Sequence, residues 1–554
     1  MKKKLDHEYI VTSSNPYIDS RGEINNFKLN EKINLIATIT SKKGTMRSNH
    51  YHPVQQQKCL LIKGQYVSVY KDLLNKNSKK ITHVVQPGDL IMTQPNVAHT
   101  MVFTKDSIFL NLVNGEREHK NYGKTHTIPY QLINNYEKNY LVDNYKLNCR
   151  VCNESNFFRF VSLGFQPHPN NLLKDKNKDK FFYPLEINIC DNCYNAQLST
   201  TSNYKKIYSN YIYKSSISKK FINHFNEAAS NYINFFKLKK NTSLIIDVGS
   251  NDGIGLLPFK KLGFKKIVGF EPSKKLSKES KKLGIKTNNE FFNLKNTSKL
   301  RNKADLILAS NVFAHNDDLN ELFLAMKNSI KKKGSIIIEV QYFLKTMKDY
   351  SFDNIYHEHT NYWTLTSLNN FMQNHNCKIF NVEKIDTHGG SLRVYVSKNL
   401  KIKVNKTVSQ ILKEENIFKV TNKKSYLNYQ KNLDKKKDNV LKNISWLKKK
   451  YGKLYGYGAS AKATVSMNFF GLNSELIANV IDDNSLKVGK YIPGTGVKII
   501  SKKKLKKQKC VIIFAWNMFK EIKDDNSSKF QFFVNIRDLY SSNFIKKFSK
   551  KKLF

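Results

Sequence analysis

The segment SLIIDVGSNDGIG, residues 243–255, predicts the fold of the central part of the chain. Its apolar run leads into Asp247, and Gly249 and Gly253 then allow a tight turn and a close approach of the backbone to a ligand. Three more candidates for buried strands follow, with helix-length spacings between them: KKIVGFEP, ADLILASN and GSIIIEVQ. Buried strands that alternate with helices are typical of a doubly wound α/β domain.

The same loop predicts a nucleoside cofactor. Glu271 follows the second strand candidate, where a carboxylate can accept hydrogen bonds from ribose hydroxyls. The spacing alone also fits a nicotinamide dinucleotide. Two details favour S-adenosylmethionine: the DxGxxxG form differs from GxGxxG, and the Asn-Asp-Gly step places side chains where a pyrophosphate needs bare backbone. The predicted cofactor-binding residues are Asp247, Gly249, Asn251, Asp252, Gly253 and Glu271.

Two CxxC pairs precede this domain and predict a zinc site. Cys149 and Cys152 form one pair, and Cys190 and Cys193 form the other. Each pair can place two thiolates on one metal, and two pairs complete a tetrahedral site. Because all four ligands are cysteines, no coordination position stays open, which favours a structural zinc over a catalytic one.

Length and charge bound the number of domains and the class of partner. A chain of 554 residues is too long for one hydrophobic core, so we expect roughly three or four domains. Lys+Arg 94 against Asp+Glu 44 gives a net charge of +50, which at first suggests nucleic acid or an anionic membrane. Only eight of these basic residues are Arg, however, and the Lys residues are scattered through every segment. Because nucleic-acid readers cluster their charge and use Arg for bidentate contacts, we expect a solvated surface and neither partner.

The sequence also carries an expectation about location. No apolar run approaches the roughly 20 residues that span a bilayer, and the first residues, MKKKLDHEYI, lack the apolar stretch of a signal peptide. We therefore expect a cytoplasmic protein. The oligomeric state is not predictable from these features.

The remaining segments complete a multidomain prediction. Residues 1–140 carry short strand signals broken by Gly, Pro and Asn, which indicate an all-β barrel or sandwich. Residues 405–450 are Lys-rich with helical spacing and predict a connecting helix, and KLYGYGAS, LIANVIDD and CVIIFAWN predict a second, smaller α/β unit. The predicted domains are residues 1–140 (all-β), 145–204 (zinc-binding module), 205–400 (cofactor-binding α/β domain) and 401–554 (C-terminal α/β domain).

Several motifs together resemble one enzyme family. Besides the CxxC pairs and DVGSNDGIG, they are LGFQPHPNNLL (163–173), YIYKSSIS (211–218), EPS (271–273), NVFAH (311–315), YHEHTNYW (356–363), HGGSLR (388–393) and YGYGASAKA (455–463). In this order they resemble the nucleotide-sugar C-methyltransferases, and the resemblance covers residues 145–554. It implies a zinc-binding module, an S-adenosylmethionine-binding Rossmann-like domain and a C-terminal Rossmann-like domain. The implied substrate is a keto-deoxysugar carried on a nucleoside diphosphate.

Methylation of a carbon beside a ketone needs a base, a stabiliser for the enolate oxygen and a methyl donor. The stretch Tyr356-His357-Glu358-His359 offers the first two, since imidazole is the natural base at neutral pH. From chemistry alone, either His357 or His359 could be the base. The resemblance implies the catalytic set His359 (the base), Glu358, Tyr356, His315 and Tyr213.

Two further motifs of the resemblance have less defined roles. The turn GYGAS lies between a predicted strand and a predicted helix, a place suited to phosphate, and Lys462 follows it. Lys462 is therefore a candidate contact for the diphosphate, with a solvated helix position as the alternative. His388, Gly389 and Gly390 have either a structural role or a position beside the substrate.

The N-terminal region resembles the cupins. Its two approximate cupin motifs supply a candidate metal set: His50, His52, Gln57 and His99. Gln57 replaces the usual Glu, and Phe103 replaces the usual Asn, so a metal-free sugar pocket is the alternative. The stretch Asp19 to Gly22 resembles the opening of cupin-type sugar epimerases and ketoisomerases. That resemblance implies a domain that isomerises, epimerises or binds the keto-sugar, with His50 and His99 as candidate bases.

Two other functions are compatible with part of the sequence. Zinc and Lys charge would also suit a nucleic-acid-binding or regulatory protein with a vestigial methyltransferase fold. An oxygen- or nitrogen-methyltransferase would need no ketone in its substrate.

Overall fold

The computed structural model forms two compact units. It describes residues 8–11, 17–19, 22–24, 26–29, 31–75, 78–114, 127–176, 182–201, 208–209, 214–217, 219–505 and 507–550. The first unit comprises residues 1–147, 162–167 and 179–185, and the second comprises residues 148–161, 168–178 and 186–554.

The first unit is built around an antiparallel sheet. Its elements are β1 Glu8–Val11, β2 Tyr17–Asp19, β3 Gly22–Ile24, β4 Leu35–Ser41, β5 Met46–Tyr51, β6 Gln57–Asp72, β7 Ile81–Val85, β8 Leu90–Thr93, β9 Val97–Val113, β10 Ile128–Pro129 and helix α1 Asn135–Asn144. The strand order is β1-β8-β6-β9-β5-β10, with β4 paired to β9 and β7 to β6. Leu61, Tyr66, Phe103 and Phe109 form its buried apolar core. The prediction of an all-β N-terminal region is confirmed.

The rest of the chain alternates strands with helices. Its strands are β11 Phe157–Gln166, β12 Tyr183–Cys190, β13 Ala196–Leu198, β14 Ile245–Val248, β15 Ile267–Phe270, β16 Lys286–Asn288, β17 Ala304–Ser310, β18 Ile330–Gln341, β19 Asn361–Tyr362, β20 Lys378–Ile385, β21 Ser391–Ser397, β22 Tyr455–Tyr457, β23 Asn479–Ile481, β24 Lys498–Ile500, β25 Gln508–Ile513 and β26 Phe530–Asn535. Its helices are α2 Lys219–Phe236, α3 Leu257–Lys261, α4 Lys274–Lys282, α5 Leu319–Ser329, α6 Phe343–Lys348, α7 Leu365–Asn374, α8 Lys406–Phe418, α9 Tyr429–Tyr451, α10 Ala461–Phe470, α11 Phe519–Asp525 and α12 Phe544–Lys550.

The central sheet has the order β16-β15-β14-β17-β18-β21-β20. Strands β14 to β18 are parallel, and β21 runs antiparallel to β18. Strand order reverses between β14 and β17, and in open α/β sheets a ligand binds outside the carboxyl ends of the strands at this switch point. Buried Ile245, Leu306 and Ile337 pack the sheet interior beneath it. The α/β prediction for the central region is confirmed.

The C-terminal sheet is a second parallel sheet, with the order β24-β23-β22-β25-β26. Its switch point lies between β22 and β25. The α/β prediction is confirmed here as well. The connecting region differs from the single helix predicted for residues 405–450, because α8 ends at Phe418 and is followed by Lys419, whose backbone is left-handed (φ 60°). The chain then restarts as α9 at Tyr429.

Within the described ranges, no helix has the length and apolar character required to cross a bilayer.

Candidate active site

The loop after β14 lies at the central switch point. Gly249 has φ 66°, and a Cβ added there would lie 2.8 Å from the Val312 Cγ2 atom, so the loops after β14 and β17 meet closely at this glycine. Asn251 is also left-handed (φ 50°), a conformation that Asn tolerates better than most residues. This loop geometry explains the residue types that the motif contains.

Glu271 braces this loop. One oxygen of its carboxylate accepts a hydrogen bond from the Asn251 N–H, and the other accepts one from the Ser273 N–H, both at 2.8 Å. Burial raises the pKa of Glu271 to about 7, and burial raises the pKa of Asp247 to about 8. Burial thus disfavours the charged form of both carboxyl groups at this loop.

Asp252 supplies a test of whether the loop fits a cofactor. Its Oδ2 atom accepts hydrogen bonds from the Ser216 N–H and hydroxyl, whereas its buried Oδ1 atom has no hydrogen-bond partner among the described residues. A buried acceptor without a partner is costly unless a ligand satisfies it. The structure thus brings the six predicted cofactor-binding residues into adjacent loops and leaves an acceptor available, which fits S-adenosylmethionine.

The predicted base is held in one tautomer. His359 Nδ1 lies 3.0 Å from the Asn354 carbonyl oxygen, which can only accept, so the proton is on Nδ1. His359 Nε2 therefore carries the lone pair, and the Tyr356 hydroxyl donates to it at 2.6 Å. Burial lowers the pKa of His359 well below its usual value, and this keeps the imidazole neutral. A neutral imidazole with a defined basic nitrogen is the form that a general base needs.

His315 lies against this pair. The ring centroids of His315 and His359 are 4.6 Å apart. His315 Nδ1 is 2.8 Å from the Glu358 carbonyl oxygen and 2.6 Å from the Tyr208 hydroxyl oxygen. Burial lowers the pKa of His315 to about 4. Two neutral imidazoles thus lie side by side.

Glu358 is the acidic counterpart. Its Oε1 atom accepts a hydrogen bond of 2.6 Å from the Asn170 side chain, and burial raises its pKa. His357 faces another way, with its ring 4.8 Å from that of His168. The structure therefore separates the two histidines that chemistry alone left equivalent, and it places His359 with Tyr356 and His315.

The four cysteines of the CxxC pairs form one cluster. The Sγ atoms of Cys149 and Cys193 are 3.5 Å apart, as are those of Cys152 and Cys190, and all four lie within 4.8 Å of one another. Tetrahedral zinc with Zn–S bonds of about 2.3 Å needs sulfur separations of this size. Hydrogen bonds from Cys149 and Cys193 lower the pKa of the Cys190 thiol to about 2, which favours a thiolate. The donor set fits zinc.

Three histidines converge in the first unit. The His50 ring lies 4.8 Å from those of His52 and His99, and the His52 and His99 rings stack at 5.3 Å. Their ligand nitrogens lie within 4.8 Å of one another. His99 Nε2 is buried without a hydrogen-bond partner among the described residues, and burial lowers the pKa of His99 well below its usual value. No hydrogen bond in the described part of the chain joins Gln57 to this histidine triad.

Family models match three consecutive stretches of the chain. They are described as "Putative zinc binding domain" (residues 149–208), "Methyltransferase domain" (residues 221–382) and "C-methyltransferase C-terminal domain" (residues 386–533). Together these models describe a methyltransferase that has a zinc-binding domain and the C-terminal domain typical of C-methyltransferases. The C-methyltransferase NovU of Streptomyces niveus is 25% identical over 385 residues, which cover 68% of this chain and 91% of NovU. The predictions of a zinc-binding module and of an S-adenosylmethionine-dependent methyltransferase are confirmed.

Solved structures resemble parts of this methyltransferase. The 3,4-ketoisomerase QdtA from Thermoanaerobacterium thermosaccharolyticum is 14% identical over 22% of this chain and 88% of QdtA (TM-score 0.19). The dTDP-4-dehydrorhamnose 3,5-epimerase from Sulfolobus tokodaii is 17% identical over 23% and 78% (TM-score 0.20). Magnesium protoporphyrin IX methyltransferase from Synechocystis PCC 6803 is 11% identical over 32% and 81% (TM-score 0.25).

The methyltransferase has two cations beside one indole at the C-terminal switch point. Lys462 Nζ lies 4.5 Å, and Arg537 Cζ 3.4 Å, from the centroid of the Trp516 ring. Lys462 Nζ is also 3.5 Å from the His388 carbonyl oxygen, and burial lowers its pKa to about 8. Gly389 (φ 91°) packs so closely on Trp516 that a Cβ would lie 2.4 Å from the indole. The HGG motif thus meets the C-terminal domain at Lys462 and Trp516.

Some residues of the site were missed by sequence reasoning, and some predicted residues lie outside the described ranges. Tyr213 lies outside the described residues, as do Ser20 and Arg21 of the N-terminal motif, in which Asp19 and Gly22 close the β2–β3 pair. Tyr208, Asn170 and Asn354 contact the reacting groups without having been predicted individually. Asn170 lies in the motif LGFQPHPNNLL, so the resemblance could have indicated it. Asn354 acts through its backbone carbonyl, which no residue type in the sequence can indicate.

Glu271 gives a prediction for cofactor binding. Because its carboxylate must be ionised to accept hydrogen bonds from a ribose, and its pKa lies near 7, affinity for S-adenosylmethionine should increase from pH 6 to pH 8. The increase due to this one group is about tenfold. Calorimetric titration should show that Glu271→Gln removes the part of the dependence centred near pH 7. An unchanged profile in that variant would contradict the assignment.

Proposed function

We propose that this methyltransferase moves a methyl group from S-adenosylmethionine to a carbon beside the ketone of a nucleotide-linked keto-deoxysugar, in the cytoplasm. The observation that carries the proposal is the pairing of His359 with Tyr356 next to buried Glu358. Burial lowers the pKa of His359, which keeps the imidazole neutral, and burial raises the pKa of Glu358, which favours its protonated form. Opposite shifts of this kind assign acid and base roles.

Proton removal is the first task. His359 Nε2 takes the proton from the carbon next to the ketone, while the Asn354 carbonyl holds Nδ1–H and fixes the ring. Without substrate, the Tyr356 hydroxyl donates its hydrogen bond to Nε2. When the substrate occupies the site, the hydroxyl donates to the substrate and leaves Nε2 free to take the proton. The resulting enolate places negative charge on the ketone oxygen and nucleophilic character on the carbon.

Stabilisation of that oxygen is the second task. In its protonated form Glu358 would donate a hydrogen bond to that oxygen, and Asn170 holds its Oε1 atom in place. Fixed donors in a buried site stabilise an oxyanion more than water does, because they need no reorganisation. S-adenosylmethionine, when bound at the 249–253 loop, supplies the methyl group. An oxygen or nitrogen acceptor would also use a base, but it would need neither a ketone nor a donor that stabilises an enolate oxygen.

Substrate recognition is the third task. Lys462 and Arg537 provide two positive charges at the start of α10 and after β26, beside the HGG motif. We assign them to the diphosphate of the nucleotide-sugar. Trp516 between these cations offers an apolar surface at the same place.

The test is methyl transfer to defined acceptors. The protein is incubated with methyl-labelled S-adenosylmethionine and a set of nucleoside-diphosphate keto-deoxysugars, with the matched alcohols as controls. Label bonded to carbon, only in the ketones, supports the proposal. Label on oxygen or nitrogen, or label in added RNA or DNA alone, overturns it. The free keto-sugar without its diphosphate should be a poor acceptor.

The histidine triad favours a second activity, in the first unit. Three buried histidines that converge within 4.8 Å suit either proton transfer on the same class of keto-sugar or a divalent metal. We assign the triad to proton transfer, with His50 and His99 as the bases, so that this unit isomerises or epimerises the sugar. A metal held by the three imidazoles is the alternative. It is the weaker one, because the neutral Gln57 adds no anionic ligand to the site.

This second activity predicts hydrogen exchange in the sugar. In deuterated buffer without S-adenosylmethionine, a His359→Ala chain should still exchange sugar protons beside the ketone, and a second substitution, His99→Asn, should stop this exchange. Nuclear magnetic resonance of the sugar is the measurement. No exchange in the first variant leaves only a binding role. Exchange that a chelator abolishes, with two metals per chain, would favour the metal.

A further inference from the structure

The two loops that carry the reacting histidines are joined to each other. The Thr360 N–H, next to His359, donates to the Ala314 carbonyl at 2.7 Å, next to His315. The Asn361 side chain donates to the Asn316 carbonyl at 3.0 Å. A displacement of either loop therefore moves both imidazoles.

The zinc-binding module holds the first of these loops through an ion pair. Arg150 lies between the ligands Cys149 and Cys152, and its side chain is only 1% exposed. Its Nε atom lies 2.6 Å from Asp317 Oδ1, two residues beyond His315. Its remaining N–H groups donate to the carbonyls of Leu198 and Thr200, at 2.8 and 3.2 Å. The guanidinium is thus fixed within the module and reaches the catalytic loop.

Asp317 is held from a second direction. Its Oδ1 atom also accepts a hydrogen bond of 2.8 Å from the Thr201 hydroxyl. The module therefore supplies two donors to this carboxylate oxygen. A movement of the zinc-binding module would therefore displace Asp317 as well.

The module also holds the second loop, by strand pairing. Strand β13 begins three residues after Cys193 and pairs with β19, with Ala196 opposite Tyr362 and Gln197 opposite Asn361. The Gln197 side chain accepts from the Arg150 N–H at 2.8 Å. The module thus contacts both loops. Arg150, between Cys149 and Cys152, reaches the loop of His315, and strand β13, just after Cys193, pairs with the strand that follows His359.

We infer that Arg150 is a positioning residue for methyl transfer, which acts through Asp317 on the loops of His315 and His359. The inference rests on the proposed function for the roles of these histidines. A displacement of about 1 Å in a reacting group can cost about 10²-fold in rate, so a clamp of this kind affects turnover without touching substrate. It gives the zinc-binding module a part in catalysis that a purely structural zinc does not have.

The experiment compares Asp317→Ala and Arg150→Lys with Asp305→Ala. Asp305 lies at the amino end of β17 and pairs with Lys331 at 2.8 Å, so its loss removes an ion pair from the same strand at the opposite end. We expect kcat to fall about 10- to 100-fold in Asp317→Ala, with zinc content unchanged and the KM for S-adenosylmethionine within about twofold. Arg150→Lys keeps the positive charge but loses the several N–H donors of the planar guanidinium. Its kcat should therefore lie between those of Asp317→Ala and the wild type.

Hydrogen exchange gives a readout that does not depend on activity. Amides in residues 311–318 and 359–362 should exchange faster in Asp317→Ala, and they should exchange as in the wild type in Asp305→Ala. If Asp317→Ala does not fold, Asp317→Asn keeps the Oδ1 acceptor and loses only the charge, and it should show a smaller loss of the same kind.

The outcomes separate the two proposals. A wild-type chain that methylates no keto-sugar overturns the proposed function, while the exchange data still test the clamp. An active wild type with unchanged kcat and unchanged exchange in Asp317→Ala overturns the clamp. An equal loss of kcat in Asp305→Ala also overturns it, because the effect would then be one of general stability.

Discussion

Replacing His359 with Ala is expected to lower kcat for methyl transfer by about 10²- to 10⁴-fold, because the variant loses the base that forms the enolate. The loop at residues 249–253, which we propose binds S-adenosylmethionine, contains none of the atoms removed, so the affinity for the cofactor should stay within about twofold of the wild type. Steady-state kinetics with a keto-sugar acceptor and calorimetric titration of the cofactor measure the two quantities.

His357→Gln is the matched control. His357 is as deeply buried and only two residues away, but its ring lies against His168 and not against Tyr356. This variant should retain most of the rate. Full activity in His359→Ala, or an equal loss in both variants, would refute the assignment of the base.

Replacing Cys190 with Ser should remove zinc and destabilise the second unit. The variant loses one of four thiolates whose sulfurs lie within 4.8 Å of one another. Structural zinc sites contribute on the order of 10 kcal/mol to folding, so the thermal unfolding temperature should fall sharply and methyl transfer should be lost. Elemental analysis and scanning calorimetry are the measurements.

Cys377→Ser controls for the loss of a buried thiol. Cys377 is 3% exposed and lies outside the cluster, so its replacement should leave one zinc in the module. A zinc-free Cys190→Ser chain with wild-type stability would contradict a structural role for the metal.

The parts that sequence predicts well are those that local spacing determines. Asp247 lies near the carboxyl end of buried strand β14, and Gly249 and Glu271 follow β14 and β15. Parallel strands bring their carboxyl ends to one edge, so the predicted cofactor loop could be foreseen. The CxxC pairs are equally local, because each turn places two sulfurs together.

The parts that could not be predicted depend on distant segments. Arg150 and Asp317 are separated by 167 residues, and Asn170 and Glu358 by 188. The choice between His357 and His359 depends on the Asn354 carbonyl, which every residue possesses. The break between α8 and α9 depends on one left-handed Lys, a residue type that does not usually end helices in this way.

The few arginines of this protein differ from its many lysines in where their side chains lie. Among only eight arginines, Arg150 and Arg393 have side chains 1% and 5% exposed, each in an ion pair, and Arg537 stacks on Trp516. At these three positions the guanidinium does what a lysine ammonium cannot. It donates several hydrogen bonds in fixed directions, or it stacks its planar group on an aromatic ring. In this lysine-rich chain, these three arginines lie where a lysine could not supply the same contacts, so Arg→Lys substitutions at them should not be conservative.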